Sequence, residues 1–471
     1  MPFMPFQTRP GFYYVYDMNR NSIYKTTEQQ YLSLCKVQSG SCETEDVDVL
    51  KEFQNKKLLL DSMITKVQHP STEFLKYQLG CCVNSITFQM SQNCNLRCAY
   101  CPYSDNGIYD NRSHSAKNIS WETLKKGIDF LVSNSQKADN LHVAFYGGEP
   151  LIVKELVILA MEYAVQQVKG KSINFGITTN ATMLDNEFAN AVKDYNISIM
   201  VSLDGPKDIH DTNRSFVDGH GSYDLLYKNV SNIKEKYPQL YEKMKFNVVI
   251  NPESDYKRVY DYFRNSNGIC DLSKANFNML SPNYTDKAFN YGGEYFEERN
   301  YETLKAYLIL LGKLKDENIT LHKADIEKIF SFKEIFASIT ETPSISHPSG
   351  TCIPGLKKLF MNVHGDFYPC ERVNEKSDLM KIGNVEEGFY IEKIREVLNV
   401  GAVTEYECRN CWAFYCCSMC PASVDDGKSE HYSKDYKLSK CNSVKAAALE
   451  NLKNYAMLRE FKYQFDREAL S

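Results

Sequence analysis

Apolar and aromatic residues near the start of the chain form short runs that are typical of an antiparallel hairpin. In "FYYVYDMNRNSIYK", two such runs flank a polar turn from Asp17 to Asn21. Aromatic and β-branched side chains favour strands, and the polar residues between them favour a tight connection. This stretch therefore predicts a β-hairpin.

Two helices and a further strand are expected after this hairpin. Thr26 and Gln29 have the separation of a capping box, so a helix should begin at Thr26 and end near Gly40. A second helix is expected near residues 46–56, and the apolar run "LLL" behind it predicts a strand. Together these elements favour a winged-helix type of module over residues 1–80.

From about residue 81 the pattern changes to an alternation of strands and helices. Six apolar segments predict strands: "ITFQM" at 86, "LHVAFY" at 141, "INFGITT" at 173, "ISIMVSL" at 197, "KFNVVIN" at 245 and "ANFNML" near 275. Helices are expected between them, for example over 121–134 after the N-cap Ser120 and over 155–169 before Gly170. This α/β pattern over 81–300 indicates a parallel sheet, either doubly wound or curled into a partial barrel. In both architectures the functional site lies at the carboxyl ends of the strands.

Composition and charge exclude several classes of partner. The net charge is −5 and the basic residues are interspersed with acidic ones, so no nucleic-acid or membrane partner is expected. No apolar run reaches the roughly 20 residues of a membrane helix, and the start "MPFMPFQTRP" lacks the features of a signal peptide. We therefore expect a soluble, cytoplasmic protein.

The sixteen cysteines are the most informative part of the composition. A chain of this length in a reducing compartment does not need disulfides for stability, so clustered cysteines indicate metal binding or catalysis. Most of them fall in two zones, 94–101 and 352–441. The second zone lies in a cysteine-rich region over 351–471, beyond a helical connector that is expected over 301–350.

Cys94, Cys98 and Cys101 have the spacing CxxxCxxC directly after the first predicted parallel strand. Iron-sulfur clusters and structural zinc ordinarily use four ligands, so a cluster held by three cysteines has one iron open to a substrate or cofactor. The spacing alone also fits a zinc site that a distant residue completes, or three unrelated buried cysteines.

This motif, with the aromatic Tyr100 before its last cysteine, resembles the signature of the radical S-adenosylmethionine (SAM) enzymes. The resemblance implies a partial (β/α)6 barrel in which a [4Fe-4S] cluster on Cys94, Cys98 and Cys101 binds SAM through its open iron, with Tyr100 in the cofactor site. In that family an electron from the cluster cleaves SAM, and the resulting 5′-deoxyadenosyl radical abstracts a hydrogen atom from the substrate.

The motif "YGGEP" follows the second parallel strand. Gly147 and Gly148 allow a close approach of backbone to a ligand, and the Glu149 carboxylate can accept hydrogen bonds from an ammonium group. The same residues also fit a plain strand-to-helix turn. The resemblance implies that the two glycines and Glu149 contact SAM, with Glu149 on its amino group.

Farther along the chain, Asp204 and His210 are expected to cap a loop.

"TTNAT" and "SLDGPKDIHDTNR" follow the third and fourth parallel strands. By resemblance, Asn180 and Ser202 bind the ribose and carboxylate side of SAM, and Arg214 binds its carboxylate. One departure is Ala181, which stands where the relatives usually have glycine.

The second cysteine zone reads "CIPG", "GDFYPCERV" and "CRNCWAFYCCSMCPAS", followed by one later cysteine. The order of spacings resembles the SPASM extension of radical SAM peptide modifiers, which holds two auxiliary [4Fe-4S] clusters; two zinc knuckles are the alternative. The resemblance implies one cluster on Cys408, Cys411, Cys417 and Cys441, and another on Cys352, Cys370 and Cys420.

Some positions in this zone have two interpretations. Cys416 adjoins Cys417, which is preferred as the ligand because of its spacing. Many relatives have a further cysteine after the equivalent of Cys352, but this chain reads "PGLKK" there, so the inner auxiliary cluster is expected to have an open iron. Glu371 is expected either to act as a general base or to pair with Arg372 and order the loop. The cysteines without partner spacing are expected to be ordinary thiols: Cys35, Cys42, Cys81, Cys82 and Cys270.

A hairpin with helices in front of such a barrel resembles the recognition element of enzymes that modify ribosomally synthesised peptides. That element binds an extended leader peptide as an added strand, so backbone hydrogen bonds supply affinity and side-chain pockets supply selection. A packing or dimerisation module is the alternative.

These resemblances together predict a peptide maturase that uses SAM and three [4Fe-4S] clusters. Its expected partners are a precursor peptide with a leader sequence and an electron donor such as flavodoxin or ferredoxin. The expected product is a thioether between a cysteine sulfur and the α- or β-carbon of another residue. Alternatives are an anaerobic sulfatase-maturating enzyme that generates formylglycine, a maturase that forms carbon-carbon crosslinks, and a non-enzymatic adaptor with a zinc scaffold.

Overall fold

A computed structural model describes residues 1–103, 112, 114–264, 268–270, 272–280, 293–315, 335–336, 339, 342–348 and 352–465. The chain begins with a three-stranded antiparallel sheet and two helices: β1 (Phe3–Arg9), β2 (Phe12–Asp17), β3 (Ser22–Thr26), α1 (Glu28–Ser39) and α2 (Thr44–Asn55). The predicted hairpin is confirmed as β2 and β3, and the second predicted helix as α2. β1 pairs with the other side of β2, which the sequence pattern did not predict.

Helix α1 begins one residue later than the capping pattern predicts. Thr27 is the N-cap and forms a reciprocal pair with Gln30, so the predicted box at Thr26 and Gln29 is wrong by one position. The reason is that Thr26 is the last residue of β3 and already belongs to the sheet ladder. The expected end of the helix is confirmed, because Gly40 adopts the left-handed conformation with φ of +76°.

The apolar run "LLL" does not form the predicted strand. Leu59 has φ of +51°, and its N–H donates a hydrogen bond of 2.8 Å to the Asp17 carboxylate, so the backbone turns there. Its side chain is nevertheless buried in the core of the module with Phe3, Val15 and Leu34. The run is therefore part of a turn, and Leu59 contributes an apolar side chain to the core of the module.

Strands and helices alternate through the middle of the chain, as predicted. The elements in order are β4 (Lys66–Val67), α3 (Leu75–Cys81), β5 (Ser85–Ser91), α4 (Trp121–Ser133), β6 (Asn140–Gly147), α5 (Lys154–Gln167), β7 (Ser172–Thr179), α6 (Asn186–Val192), β8 (Ile197–Ser202), α7 (Lys207–Asn213), α8 (Tyr223–Lys236), α9 (Pro238–Glu242), β9 (Met244–Ile250), α10 (Tyr256–Arg264), β10 (Ala275–Met279) and α11 (Gly293–Leu310). The six predicted parallel strands are confirmed as β5 to β10. Ser120 is the N-cap of α4, also as predicted.

The order of these strands decides between the two predicted architectures. β5 to β10 lie in the sheet in the order of the chain, and each is parallel to its neighbour. Right-handed crossovers between strands in sequential order place the helices on one face, whereas a doubly wound sheet requires a reversal of strand order. The sheet is therefore the partial barrel, and residues that alternate with its buried positions, such as His142 and Asn247, line the opposite face.

The cysteine-rich region extends this sheet. Its elements are β11 (Ile345–Ser346), β12 (Phe360–Met361), β13 (Asp366–Tyr368), β14 (Gly383–Asn384), β15 (Gly388–Phe389), α12 (Ile391–Leu398), α13 (Glu405–Arg409) and α14 (Lys434–Glu460). β12 pairs in parallel with β5 and begins an antiparallel meander to β15, while β11 pairs separately with β4. Of the expected connector over 301–350, α11 reaches Leu310, and much of the remainder lies outside the described residues. None of the helices that the structure describes is long and apolar enough to cross a membrane.

The N-terminal module and the C-terminal helix share a hydrophobic core, which we call the shared core. It includes Phe6, Tyr16 and Met18 from the module, Trp412 and Phe414 from the cysteine-rich loop, and Leu452 from α14. At the edge of this core, the side chains of Thr8, Arg9 and Tyr14 all donate hydrogen bonds to the Glu460 carboxylate. The module is therefore attached to the cysteine-rich region by both apolar and polar contacts.

Leu452→Ala should lower the free energy of unfolding by about 2–5 kcal/mol, because it removes apolar contacts and leaves a cavity in the shared core. Urea denaturation followed by circular dichroism measures this change. Leu32→Ala, at an exposed position of α1, is the control and should change the free energy by less than about 0.5 kcal/mol. Equal effects of the two substitutions would contradict the assignment of the shared core.

Candidate active site and cysteine clusters

The three-cysteine motif lies in the loop after β5, at the carboxyl edge of the parallel strands. An antiparallel bridge joins Leu96 in this loop to Phe216. The N–H groups of Arg97 and Ala99 donate to the carbonyls of Ser215 and Asn213 at 2.8 and 2.9 Å. The end of α7 and the segment after it therefore support residues 96–99 of this loop.

Cys94, Cys98 and Cys101 share one largely buried environment. Burial is the main cause that raises the pKa of the Cys94 thiol to about 12 and that of the Cys98 thiol to about 11, and the neighbouring cysteines act in the same direction. The Leu96 N–H donates to Cys94 Sγ at 3.4 Å, and Arg214 Nη1 lies 3.9 Å from Cys98 Sγ. Thiolates at these positions therefore need positive charge nearby, which Arg214 and a bound metal centre can supply.

Arg214 is held in a buried ion pair with Asp204. Its Nε and Nη2 donate to the Asp204 carboxylate at 3.0 and 3.2 Å, and the Val249 N–H donates to the same carboxylate at 3.1 Å. The Tyr100 hydroxyl is a further donor to Asp204, and the Arg214 guanidinium lies 5.2 Å from the centre of the Tyr100 ring. Asp204 thus fixes two of the predicted cofactor residues beside the cysteine loop.

His210 connects this pair to the surrounding backbone. Its Nδ1 accepts from the Asp204 N–H at 3.3 Å, and its Nε2 lies 3.0 Å from the Ser222 hydroxyl, which in turn donates to the Arg214 carbonyl at 2.7 Å. Burial lowers the pKa of His210 to about 4, so the imidazole is neutral at neutral pH. This arrangement agrees with the expectation that His210 caps its loop.

Gly147 and Gly148 bring the end of β6 into contact with the cysteine loop. Gly147 has φ of +131°, and a Cβ atom on Gly148 would lie 2.1 Å from the Asn93 carbonyl oxygen. The Gly148 and Glu149 N–H groups donate to the Ser91 and Asn93 carbonyls at 2.7 and 2.9 Å. The close approach that these glycines permit is therefore made to the residue just before Cys94.

Glu149 is a buried carboxylate, 1% exposed, at the same edge. It accepts hydrogen bonds from the Leu151 N–H at 3.0 Å, the Thr179 hydroxyl at 2.7 Å and the Asn180 N–H at 2.8 Å. Burial outweighs these donors and raises the pKa of Glu149 to about 7. Because two carboxylate oxygens offer about four acceptor positions, one position remains for a further donor.

The other predicted SAM residues also lie at this edge. Asn180 Nδ2 donates to Asn95 Oδ1 at 2.9 Å and lies 3.9 Å from Cys94 Sγ. Ala181 has φ of +59°, the left-handed region that favours glycine, which accounts for the glycine that relatives usually carry there. Ser202 is buried and is the last residue of β8.

Four cysteines of the second zone line a cavity of about 250 Å³, which we call the Cys408 cavity. They are Cys408, Cys411, Cys417 and Cys441, the four residues predicted to hold one auxiliary cluster. Cys416 does not line it, and its Sγ lies 3.5 Å from the Tyr16 hydroxyl in the shared core. The cavity is larger than the roughly 150 Å³ that accommodates benzene in an engineered core, so its size and its four sulfurs fit a cluster.

Lys437 reaches the Cys408 cavity from α14 and was not singled out by sequence reasoning. It is 3% exposed, and its Nζ donates to the Val400 carbonyl and the Thr404 hydroxyl, both at 2.6 Å. Burial lowers the pKa of Lys437, while the nearby sulfurs of Cys408 and other cysteines raise it. One sequence feature could have identified it: Lys437 lies four residues before Cys441, and this spacing places both side chains on one face of a helix.

The last three predicted ligands are arranged differently. Cys370 is close to Cys420, and burial raises the pKa of the Cys370 thiol to about 11, whereas Cys352 is exposed. Beside them, Glu371 Oε1 lies 3.7 Å from Arg372 Nε, so these two side chains form an ion pair. Among the described residues, no three His, Cys, Asp or Glu side chains converge on the position of a single metal ion.

In the apo-protein, Glu149→Gln should change how stability depends on pH. The pKa of Glu149 is raised from 4.5 to about 7, so its contribution to folding is present below about pH 4.5 and is lost as the pH rises to 7. The pKa of His210 is lowered from 6.5 to about 4, so its contribution increases as the pH rises from 4 to 6.5. Without Glu149, the free energy of unfolding should rise more steeply with pH.

Urea titrations of the wild type and the Glu149→Gln variant at several pH values between 4.5 and 7 measure this slope. Glu45→Gln, at an exposed position, serves as the control and should keep the wild-type slope. A wild-type slope in the Glu149→Gln variant would contradict the assignment of the raised pKa to Glu149.

Comparisons with known proteins agree with this fold. Residues 88–263 match the family profile of the Radical SAM superfamily. The chain is 26% identical over 378 residues to a cysteine-type anaerobic sulfatase-maturating enzyme of Clostridium perfringens, covering 74% of this chain and 92% of the relative. An enzyme of the same description from Clostridium novyi is 26% identical over 349 residues, covering 70% and 85%.

A solved structure has a similar fold. The structure described as native anSMEcpe with bound AdoMet and Cp18Cys peptide has a TM-score of 0.55 to this chain at 21% identity, covering 79% of this chain and 98% of that one. Residues 88–263 are therefore similar to the Radical SAM superfamily, most of the chain shares the fold of this solved structure, and anaerobic sulfatase-maturating enzymes are among its relatives.

Proposed function

We propose that this protein is a radical SAM peptide maturase that forms thioether crosslinks in a ribosomally synthesised precursor peptide. The observation that carries the proposal is the convergence of the three-cysteine loop, the buried Glu149 carboxylate and the Arg214–Asp204 pair at one edge of the partial barrel. A buried carboxylate with a free acceptor position suits the ammonium group of an amino acid, and SAM carries such a group.

The residues at this edge fit the cofactors of the proposed reaction. Cys94, Cys98 and Cys101 would hold a [4Fe-4S] cluster, and the SAM site would comprise Tyr100, Gly147, Gly148, Glu149, Asn180, Ser202 and Arg214. When bound, these two groups supply the 5′-deoxyadenosyl radical that removes a hydrogen atom from the peptide. Glu149 binds and orients the ammonium group, and a cation beside this carboxylate favours its ionised form despite burial.

Arg214 contributes a fixed charge at the cysteine loop. The ion pair with Asp204 neutralises part of its charge and sets its orientation, which leaves Nη1 directed at Cys98 Sγ. This geometry favours the thiolate form of Cys98. Arg214 therefore positions the cluster ligand Cys98, in addition to its proposed contact with the SAM carboxylate.

Two further cysteine sets support the use of auxiliary clusters. The Cys408 cavity provides four sulfurs for one cluster, and Cys352, Cys370 and Cys420 would hold another with an open iron. Thioether formation removes two hydrogens from the peptide: the radical takes one hydrogen atom, the thiol loses a proton, and one electron leaves with the formation of the carbon-sulfur bond. An auxiliary cluster is a suitable acceptor for that electron.

The N-terminal module supports a peptide as the substrate. Among the described strands, β3 pairs only with β2, so its other edge is open to a peptide strand. The shared core attaches the module to the cysteine-rich region, so a peptide bound there would be held on the same molecule as the candidate site. This module is the feature that distinguishes a leader-dependent maturase from the second candidate function.

Formylglycine generation in a sulfatase is the second candidate, and it is favoured by the sequence relatives from the two Clostridium species. Their alignments cover at most 74% of this chain but 85–92% of the relatives. About a quarter of this chain thus lies outside the alignment to the Clostridium perfringens enzyme. An additional peptide-binding module would account for such an excess, which is why we prefer the precursor peptide as substrate.

Reduced holoenzyme should convert a cysteine-containing peptide encoded in the neighbourhood of its gene, with release of 5′-deoxyadenosine. The product should keep its sulfur and lose a pair of hydrogens per link, as measured by mass spectrometry. Cys98→Ala should abolish both products because it removes a thiolate from the cofactor-binding cluster. Cys42→Ala, which removes an exposed thiol of the N-terminal module, is the control and should retain both.

Other outcomes of this assay separate the candidates. A product that has exchanged sulfur for oxygen and reacts with a hydrazide probe would identify formylglycine and reject the thioether. Intact SAM under strong reductant, together with bound zinc in place of iron, would reject every radical mechanism and favour the zinc-scaffolded adaptor.

Removal of the leader from the precursor peptide should weaken its binding to the holoenzyme by about tenfold or more, which corresponds to about 1.4 kcal/mol. The reason is that added-strand hydrogen bonds along β3 supply much of the affinity. Fluorescence anisotropy with the labelled core peptide, the full peptide and a scrambled leader of equal composition measures the difference. Equal affinity of all three peptides would assign the N-terminal module to packing or dimerisation instead.

A further inference from the structure

We propose that Lys437 is a positioning residue whose buried charge raises the reduction potential of the cluster in the Cys408 cavity. The inference rests on the proposed function in one respect, because it needs a cluster on Cys408, Cys411, Cys417 and Cys441. It goes beyond that function because it assigns control of the reduction potential of this cluster to a residue that is not a ligand.

The geometry directs the Lys437 ammonium group at a single sulfur. Nζ donates to the Val400 carbonyl at 2.6 Å, lies 3.4 Å from the Gly401 carbonyl and 3.8 Å from Cys408 Sγ. Its partner Thr404, which accepts at 2.6 Å, has its own hydroxyl 3.2 Å from the same sulfur. Lys437 and Thr404 therefore form one hydrogen-bonded unit that faces Cys408.

No carboxylate forms an ion pair with Lys437 in the part of the chain that the structure describes. Glu407 also lines the Cys408 cavity and attracts Lys437 at a distance, but its carboxylate is paired with Lys434 at 2.6 Å. An ammonium group buried without an ion-pair partner is destabilising. A [4Fe-4S] cluster held by four thiolates has a net negative charge, so it would supply an opposite charge directly beside this lysine.

A fixed cation beside such a cluster has a definite electronic effect. Reduction adds one negative charge to the cluster, so a nearby positive charge stabilises the reduced state more than the oxidised state. Hydrogen bonds to the cluster sulfurs act in the same direction. Lys437 itself is buried, so solvent screens its charge little, and both effects would make the cluster a better electron acceptor.

The test compares the potentials of the holoenzyme and three variants. Lys437→Met removes the charge, Lys437→Arg keeps it, and Lys440→Met makes the same change on the same helix at a residue that does not line the cavity. Anaerobic redox titration followed by electron paramagnetic resonance measures each potential. The signal of the cavity cluster is identified as the one that Cys408→Ala removes.

Lys437→Met should shift the equilibrium between the reduced and oxidised cluster about tenfold or more toward the oxidised form, a decrease of about 59 mV for a one-electron couple. Lys437→Arg and Lys440→Met should stay within a few-fold of the wild type. If Lys437→Met and Lys440→Met have the same potential with full iron content, the inference is overturned.

Loss of iron from the Lys437→Met variant is also informative. Recovery of that iron in Lys437→Arg supports the need for a positive charge at this position, and no recovery assigns Lys437 to a merely structural role and overturns the inference. If Cys408→Ala changes neither the iron content nor any paramagnetic signal, no cluster is bound in the Cys408 cavity. That result would reject this part of the proposed function, and with it the inference about Lys437. A wild-type cluster with a potential insensitive to Lys437 rejects only the present inference.

Discussion

The buried carboxylate of Asp204 is the contact on which the geometry of the candidate site depends. It receives donors from the Arg214 guanidinium, the Tyr100 hydroxyl and the Val249 backbone, which belong to three different parts of the barrel. Since both partners of the ion pair are almost fully buried, neither is stable there without the other. The pair therefore joins the strand edge to the cysteine loop, and Glu149 reaches that loop independently through the glycines of β6.

Charge has opposite arrangements at the two cysteine centres. At the first centre, Arg214 is neutralised by its own carboxylate and adds only part of its charge to Cys98. At the Cys408 cavity, Lys437 is held by neutral oxygens, and its Nζ lies 3.8 Å from Cys408 Sγ. The different setting of the two buried cations suits the proposed function, in which the first centre would donate an electron and the auxiliary centre would accept one.

The sequence predicted those parts of the fold in which local pattern and tertiary structure agree. The six parallel strands were predictable because each is a short, mainly apolar segment that alternates with helical segments, and the cysteine loop because its spacing is specific. The capping box failed because Thr26 and Thr27 both fit the pattern, and only the pairing of β3 separates them. The "LLL" strand failed because a distant residue, Asp17, holds Leu59 in a turn.

Other features had no local signal. The strands β12 to β15 have two or three residues each, too few for a period to appear, so the extension of the barrel sheet into the cysteine-rich region was not visible. The unit formed by Lys437 and Thr404 depends on a contact between α14 and the preceding loop. Such contacts across the chain are set by packing, which a single sequence does not display.

The shared core has a consequence for how such proteins arise. Trp412 and Phe414 flank the cysteines of the Cys408 cavity, and on their other side they meet Phe6 and Tyr16 of the first strands. Loss of this N-terminal segment would uncover Phe414, which also lines the Cys408 cavity, so the segment and the wall of the cavity cannot change independently. Exchange of the segment between related chains would require an apolar surface that matches these aromatic side chains.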